Sequence, residues 1–167
     1  QMNDLFILNE ATGFYDANYS VSGDDIIDMA DQILVERLAK PSAECFQNPG
    51  DVKTFLKLRL SPNKSEVFAV LFLNNRHHML AFDEMFFGAI DGASVHPRGV
   101  VRRALEHNAA AVILAHNHPS GVAEPSRADT QLTRRLSDAL ALIDVRVIDH
   151  IVVGVEETVS FAERGLI

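Results

Sequence analysis

The run AAAVILA, residues 109–115, constrains the fold more than any other stretch. Seven apolar residues in a row are far too few to cross a bilayer. On an edge strand half of them would face water. They fit a central strand buried on both faces, which needs a covering layer on each side. The rest of the chain supplies those layers. SEVFAVLFL (65–73) reads as a second buried strand, Asn74-Asn75 as a turn, and HHMLAFDEMFF (77–87) as the returning strand of a hairpin. Pro97 opens a helix striped by Val100, Val101, Ala104 and Leu105 and ending near Asn108. A second helix runs from about Ser126 to Leu142, with Leu132, Leu136, Ala139, Leu140 and Ile143 on its apolar side. VRVIDHIVVGV is a further strand with a kink near Asp149-His150, and TVSFAERGLI ends the chain with a last short strand.

The first fifty residues differ in character. Residues 1–20 lack periodicity and read as an extended arm. Ser22, Asp24 and Asp25 suit a helix N-terminus, and Ile26, Ala30, Ile33, Leu34 and Leu38 recur at helical spacing to about Lys40. A loop follows, then a short helix from Asp51 to about Leu60. The expected organisation is an N-terminal arm and helix over 1–48 and an α/β domain over 49–167, a mixed sheet flanked by helices. Residues 1–50 hold nine acids against Arg37 and Lys40, whereas the other 117 residues nearly balance, with fourteen acids and thirteen bases. Neither part has the basic surplus of a nucleic-acid binder. The local groups Arg98, Arg102 and Arg103, and Arg134 and Arg135, read as solvated helix faces. Cys45 is the only cysteine, which rules out an internal disulfide and a thiolate zinc cluster. With no membrane span and no secretory leader at the N-terminus, the expected compartment is the cytoplasm.

The chemistry lies where AAAVILA ends. His116 and His118 flank Asn117 at the C-terminal end of the central strand, where α/β sheets place their sites. In extended chain, residues two apart point the same way, so both imidazoles can face one ion. Zinc wants four ligands in a tetrahedron. Asp129, one turn into the next helix, is the natural third ligand, because Pro119, Gly121 and Pro125 stiffen the loop that folds the helix start back. Two His, one Asp and one open position make a catalytic pattern; a structural site would be closed by protein. The other histidines have simpler readings. His77 and His78 are solvated beside the turn, His107 sits near a helix end, His96 precedes Pro97, and His150 is a satisfied, partly buried histidine.

HNHPSGVAEPSRAD has the form HxHP, six residues, SxxD. It resembles the JAMM motif of the JAB/MPN+ metalloproteases. GAIDGASVHPRGVVRRALEHNAAAVILAHNHPSG and VRVIDHIVVG narrow the resemblance to the bacterial RadC family, strongly over residues 50–167 and weakly before them. The resemblance implies a cytidine-deaminase-like sheet architecture, zinc on His116, His118 and Asp129, and Ser126 stabilising the oxyanion of a tetrahedral intermediate. It also implies a strand acid that handles the proton of the attacking water. FDEMFFG offers Asp83 and Glu84 for that duty. Glu84 is favoured for its residue type, and Asp83 remains its rival. The chain departs from relatives at Ala89, usually Thr, and Gly99, usually Glu.

The implied activity is zinc-dependent hydrolysis of amide bonds in an unidentified peptide or protein. A metal-dependent nuclease or phosphohydrolase is the second reading, with Arg98, Arg102 and Arg127 as candidate phosphate ligands. A non-enzymatic interaction module is the third. A zinc deaminase lacks its paired cysteines. RadC proteins traditionally carry a DNA-repair label, to which the charge gives no support. The apolar N-terminal helix could cover the chain's own core or pair two copies as a homodimer.

Overall fold

The computed structural model describes residues 5–39, 49–88 and 94–167. Its centre is a five-stranded sheet made of β3 (Val67–Leu73), β4 (Met79–Phe87), β5 (Ala111–Asn117), β6 (Arg146–Val153) and β7 (Thr158–Ser160), in spatial order β4-β3-β5-β6-β7. The AAAVILA strand is therefore the middle one. Only β5 and β6 run parallel; every other neighbouring pair is antiparallel. The parallel pair is joined by α4 (Arg127–Ala141), as such a pair requires.

Alternation along the strands sorts the core into two layers. Ala69, Leu71, Ile113 and Ala115 point to one face, under α1 (Gly23–Ala39) and α2 (Pro49–Leu60), and meet Leu34, Leu38, Phe55 and Leu56. Phe68, Val70, Phe72, Val112 and Leu114 point to the other, under α3 (Pro97–Glu106) and α4, and meet Val100, Ala104, Leu132 and Leu136. His116 continues the Val112–Leu114 parity, so its ring lies on the α4 face.

α1 belongs to the same core as the sheet, since Leu34 and Leu38 join it, and a bidentate Arg59–Asp31 pair (2.6 and 2.8 Å) ties α2 to α1. The expected boundary at residues 48 and 49 abuts positions 40–48, which lie outside the described residues, as do Cys45 and Ala89. Gly99 is in the first turn of α3, where a Cβ would stand 3.3 Å from Phe86 Cζ; its bareness lets Phe86 lie against the helix.

Two expectations are corrected. Part of the N-terminal arm is a hairpin, β1 (Phe6–Asn9) with β2 (Phe14–Ala17), turned through Gly13 at φ 73°. His78 is buried, not solvated, and the Asn74 carboxamide oxygen accepts its backbone N–H (3.0 Å).

The kink expected near Asp149-His150 is a bulge one residue earlier. Val112 pairs with Val147 and Ile113 with Asp149, leaving Ile148 extra. Val147 faces α4; regular alternation would turn His150 the opposite way, and the added residue reverses this.

Gly154 follows β6 where the loop after His118 crosses it. A Cβ there would stand 2.5 Å from Gly121 O and 3.1 Å from Ala123. Gly154→Ala is expected to cost about 1–3 kcal/mol by forcing that loop outward. Urea unfolding of the two chains checks it.

Candidate metal centre

His116 is the penultimate residue of β5 and wholly buried; His118 follows the strand, its backbone N–H donating to Val153 O (2.9 Å). The two Nε2 atoms are 3.0 Å apart. Asp129 comes to them from the first turn of α4, with Oδ1 3.3 Å from His116 Nε2 and Oδ2 3.6 Å from His118 Nε2. Ser126 fixes that carboxylate through a capping box. Its backbone N–H and its hydroxyl both donate to Asp129 Oδ2 (2.7 Å each), and its oxygen accepts the Asp129 N–H (3.1 Å). The four residues expected from HxHP and SxxD thus meet at one point.

The expected acid does not meet them. Glu84 pairs across the sheet with Ala69, whose face is the α1–α2 side, and it is exposed. It lines a separate depression with Asp83, Met85 and Arg102. Asp83 faces α3, where Arg103 Nε (2.6 Å) and His107 Nε2 (3.1 Å) hold its Oδ2. Burial disfavours its charge, but those hydrogen bonds prevail and keep the carboxyl below its ordinary range. Asp83 is committed to an ion-pair network.

Glu66 stands at the site instead. Phe68 pairs with His116 in the antiparallel β3–β5 register, so Glu66, two residues earlier, comes opposite His118 and on the same face. Its Oε1 is 3.9 Å from His118 Nε2, and one oxygen of Glu66 and one nitrogen from each of His116 and His118 lie within 4.8 Å of one another. Asn117, the residue between the two histidines, holds the segment in place. It is buried, accepts the Val67 N–H (2.7 Å) and donates to Ser65 O (3.1 Å) and Asn63 O (3.3 Å), bracketing Glu66. The Gly88 N–H adds a bond to Glu66 O (2.9 Å).

These donors fit a divalent metal. A tetrahedral ion with arms of about 2.0–2.1 Å has donor–donor edges of roughly 3.3–3.4 Å. The edges among His116, His118 and Asp129 are 3.0, 3.3 and 3.6 Å. His118 Nδ1 is 2.8 Å from Val122 O, which can only accept, so the ring donates there and a neutral His118 presents a bare Nε2 to the pocket. A cavity of 270 Å³ opens beside His118, bounded by Asn63, Lys64, Asn117 and Pro119. It adjoins a groove of 710 Å³ with which it shares Ser61 and Val155.

The electrostatics concentrate negative charge on Asp129. Burial raises the Asp129 pKa, but the adjoining His116 and His118 imidazoles overcome it and leave the carboxyl far below its ordinary range. The hydrogen bond to Asp129 raises His118, against a smaller effect of burial. Burial drives His150 well below 6.5 and keeps it neutral. His118 therefore stabilises the metal-free fold fully below 6.5, and this is lost as pH rises through its raised folded value. His150 does the reverse: its contribution is present above 6.5 and is lost as pH falls below. On these two residues the metal-free chain is most stable near pH 6.5. Urea midpoints measured from pH 5 to 9 check it. The His118→Ala variant should flatten the alkaline limb and His150→Gln the acid limb.

A family model described as the RadC-like JAB domain matches residues 46–166. The chain belongs to that family. It is 57% identical, over 98% of its length, to a UPF0758 protein of Thioalkalivibrio sulfidiphilus, of which it covers 72%. A UPF0758 protein of Nitrosococcus oceani is 66% identical over 72% of the chain, and one of Stutzerimonas stutzeri 58% over 84%. The chain spans 54% and 62% of those two relatives. Membership and the Glu66–His116–His118 group together support a JAMM-type family of metal-dependent hydrolases. Among the described residues, no helix is long and apolar enough to cross a membrane.

The motif assigns no role to Glu66, Asn117 or Thr133, and His150 reads from the sequence only as a satisfied histidine. One signal for Glu66 was present: it is the sole acid between Asp51 and Asp83, and it sits at the mouth of a strand as apolar as β5.

Proposed function

We propose that this RadC-like JAB domain is a zinc metallopeptidase that hydrolyses amide bonds in a peptide or protein. The observation that carries the proposal is Glu66, an acid held opposite His118 on the face where His116 and Asp129 converge. His116, His118 and Asp129 would hold the zinc. Bound zinc supplies a Lewis acid that polarises a carbonyl and acidifies water. Glu66 takes the proton of the attacking water and returns it to the leaving amine nitrogen. Asn117 keeps the Glu66 backbone in register while this happens. Ser126 orients Asp129 in the arrangement seen, and it serves an oxyanion once its hydroxyl turns from Asp129 Oδ2. The cavity beside His118 and the groove beyond it offer a path for an extended chain. The cytoplasmic location belongs to the same proposal.

The test is zinc per chain by elemental analysis, on wild type and on the His116→Ala/His118→Ala double variant, purified without chelator. About one zinc in wild type and none in the variant is the expected result, followed by hydrolysis in a peptide screen. A nucleic-acid arm of that screen tests the nuclease reading. No zinc in either chain, even after zinc is added back, would move the chain to the interaction-module class.

A further inference from the structure

We infer that His150 is a positioning residue which, through Thr133, holds His116 in the tautomer whose Nε2 is bare toward the donor pocket. A chain of hydrogen bonds carries the inference. His116 Nδ1 is 2.8 Å from His150 Nε2, and His150 Nδ1 is 2.6 Å from Thr133 Oγ1. The Thr133 hydroxyl donates to Asp129 O (2.7 Å), one turn back along α4, and Oδ1 of the same Asp129 lies 3.3 Å from His116 Nε2.

The directions follow from counting hydrogens. A threonine hydroxyl has one hydrogen, and Thr133 gives it to the Asp129 carbonyl. It must then accept from His150, so His150 carries its hydrogen on Nδ1. A neutral imidazole has no second N–H, so His150 Nε2 accepts from His116 Nδ1–H. That leaves His116 Nε2 bare, facing His118 Nε2 and Asp129.

The surroundings hold His150 in this geometry. It is wholly buried, stacked on Phe161 (4.7 Å between centroids, 29° between planes) with the Phe68 ring edge-on at 5.8 Å. No solvent reaches it to supply another partner. The bulge at Ile148 turns the ring to this face in the first place. Second-layer partners of this kind orient ligating histidines and strengthen them as donors. The purpose assigned to the ring rests on the metal centre proposed above; the tautomers do not.

Long-range ¹⁵N correlation spectra of the histidine rings, recorded zinc-free and zinc-loaded, read the tautomers directly. His150 is expected as Nδ1–H in both, with His116 as Nδ1–H in the loaded chain. His150 as Nε2–H in both would overturn the inference. Zinc affinity by competition with a chromophoric chelator is the second readout. His150→Phe keeps the bulk and loses the hydrogen bonds; affinity should fall about 10–100-fold. His150→Gln, whose amide can accept from His116 and donate to Thr133, should stay within about 3-fold of wild type. Unchanged affinity in a folded His150→Phe chain would overturn the assignment. If that chain does not fold, Thr133→Val removes the acceptor for His150, and unchanged tautomers and affinity there would overturn it equally. A wild type that takes up no zinc would sink the metal centre, while the zinc-free spectrum would still decide the relay.

Discussion

Glu66→Gln is expected to keep about one zinc per chain and to lower amide hydrolysis by about 10²–10⁴-fold. The amide has the shape of the carboxylate but cannot take a proton from water. Its backbone is anchored independently of the charge: Asn117 grips the Ser65 carbonyl and the Val67 N–H, and Gly88 grips the Glu66 carbonyl. The segment should stay in place, and the loss should fall on kcat. Glu84→Gln is the control, since Glu84 is exposed on the opposite face of the sheet. The measurement is zinc content together with hydrolysis of whichever peptide the screen returns. Loss of turnover in Glu84→Gln with turnover kept in Glu66→Gln would reverse the assignment.

Asp129→Ala should have the largest effect on the protein itself. It removes a buried carboxylate that two histidines and the α4 N-terminus all use. Stoichiometric zinc should be lost. The zinc-free chain should lose about 2–4 kcal/mol, because a helix cap is broken and a buried charged cluster loses its acid. Asp129→Asn separates these effects. Its carbonyl oxygen can still accept the Ser126 N–H, so most of the cap survives while the charge does not. The folded pKa of Asp129 is depressed, so its charge stabilises the fold above the unfolded value of 3.8 and the benefit fades as pH falls through the folded value. The stability gap between wild type and Asp129→Asn should therefore narrow below about pH 4. Urea unfolding at pH 7 and pH 3 checks this, and a gap that widens in acid would contradict it.

Local chemistry was readable from the chain, and long-range register was not. AAAVILA announces a central strand because an edge strand would leave half of its seven apolar residues in water. The short HxHP–SxxD spacing brings His116, His118, Ser126 and Asp129 together through one strand end, one loop and one helix start. Glu66 required knowing that β3 pairs with β5 in the register that sets Phe68 against His116. Nothing within either strand states that register, and the family resemblance points to FDEMFFG, where a bulge beside Met85 and an Arg103–Asp83 pair obey other constraints. His150 is satisfied by hydrogen bonds, as expected, but wholly instead of partly buried, and the face it takes is hidden in the same way. The parity of β6 changes at Ile148, and a periodic reading cannot see an inserted residue. The β1–β2 hairpin escaped because β2 buries none of its residues and so shows no apolar alternation.

His116, His118 and Asp129 all lie within fourteen consecutive residues. A metal held by them closes a short loop instead of stapling remote parts of the chain, so little of its binding energy goes into restricting the unfolded ensemble. The unfolded segment keeps the same three donors close together and retains some affinity of its own. Added zinc should therefore raise the melting temperature by less than its affinity for the folded site would suggest, because linkage counts only the difference between the two states. The same closeness would let a chain emerging from synthesis hold the ion loosely before β6 brings His150 beside the ring of His116.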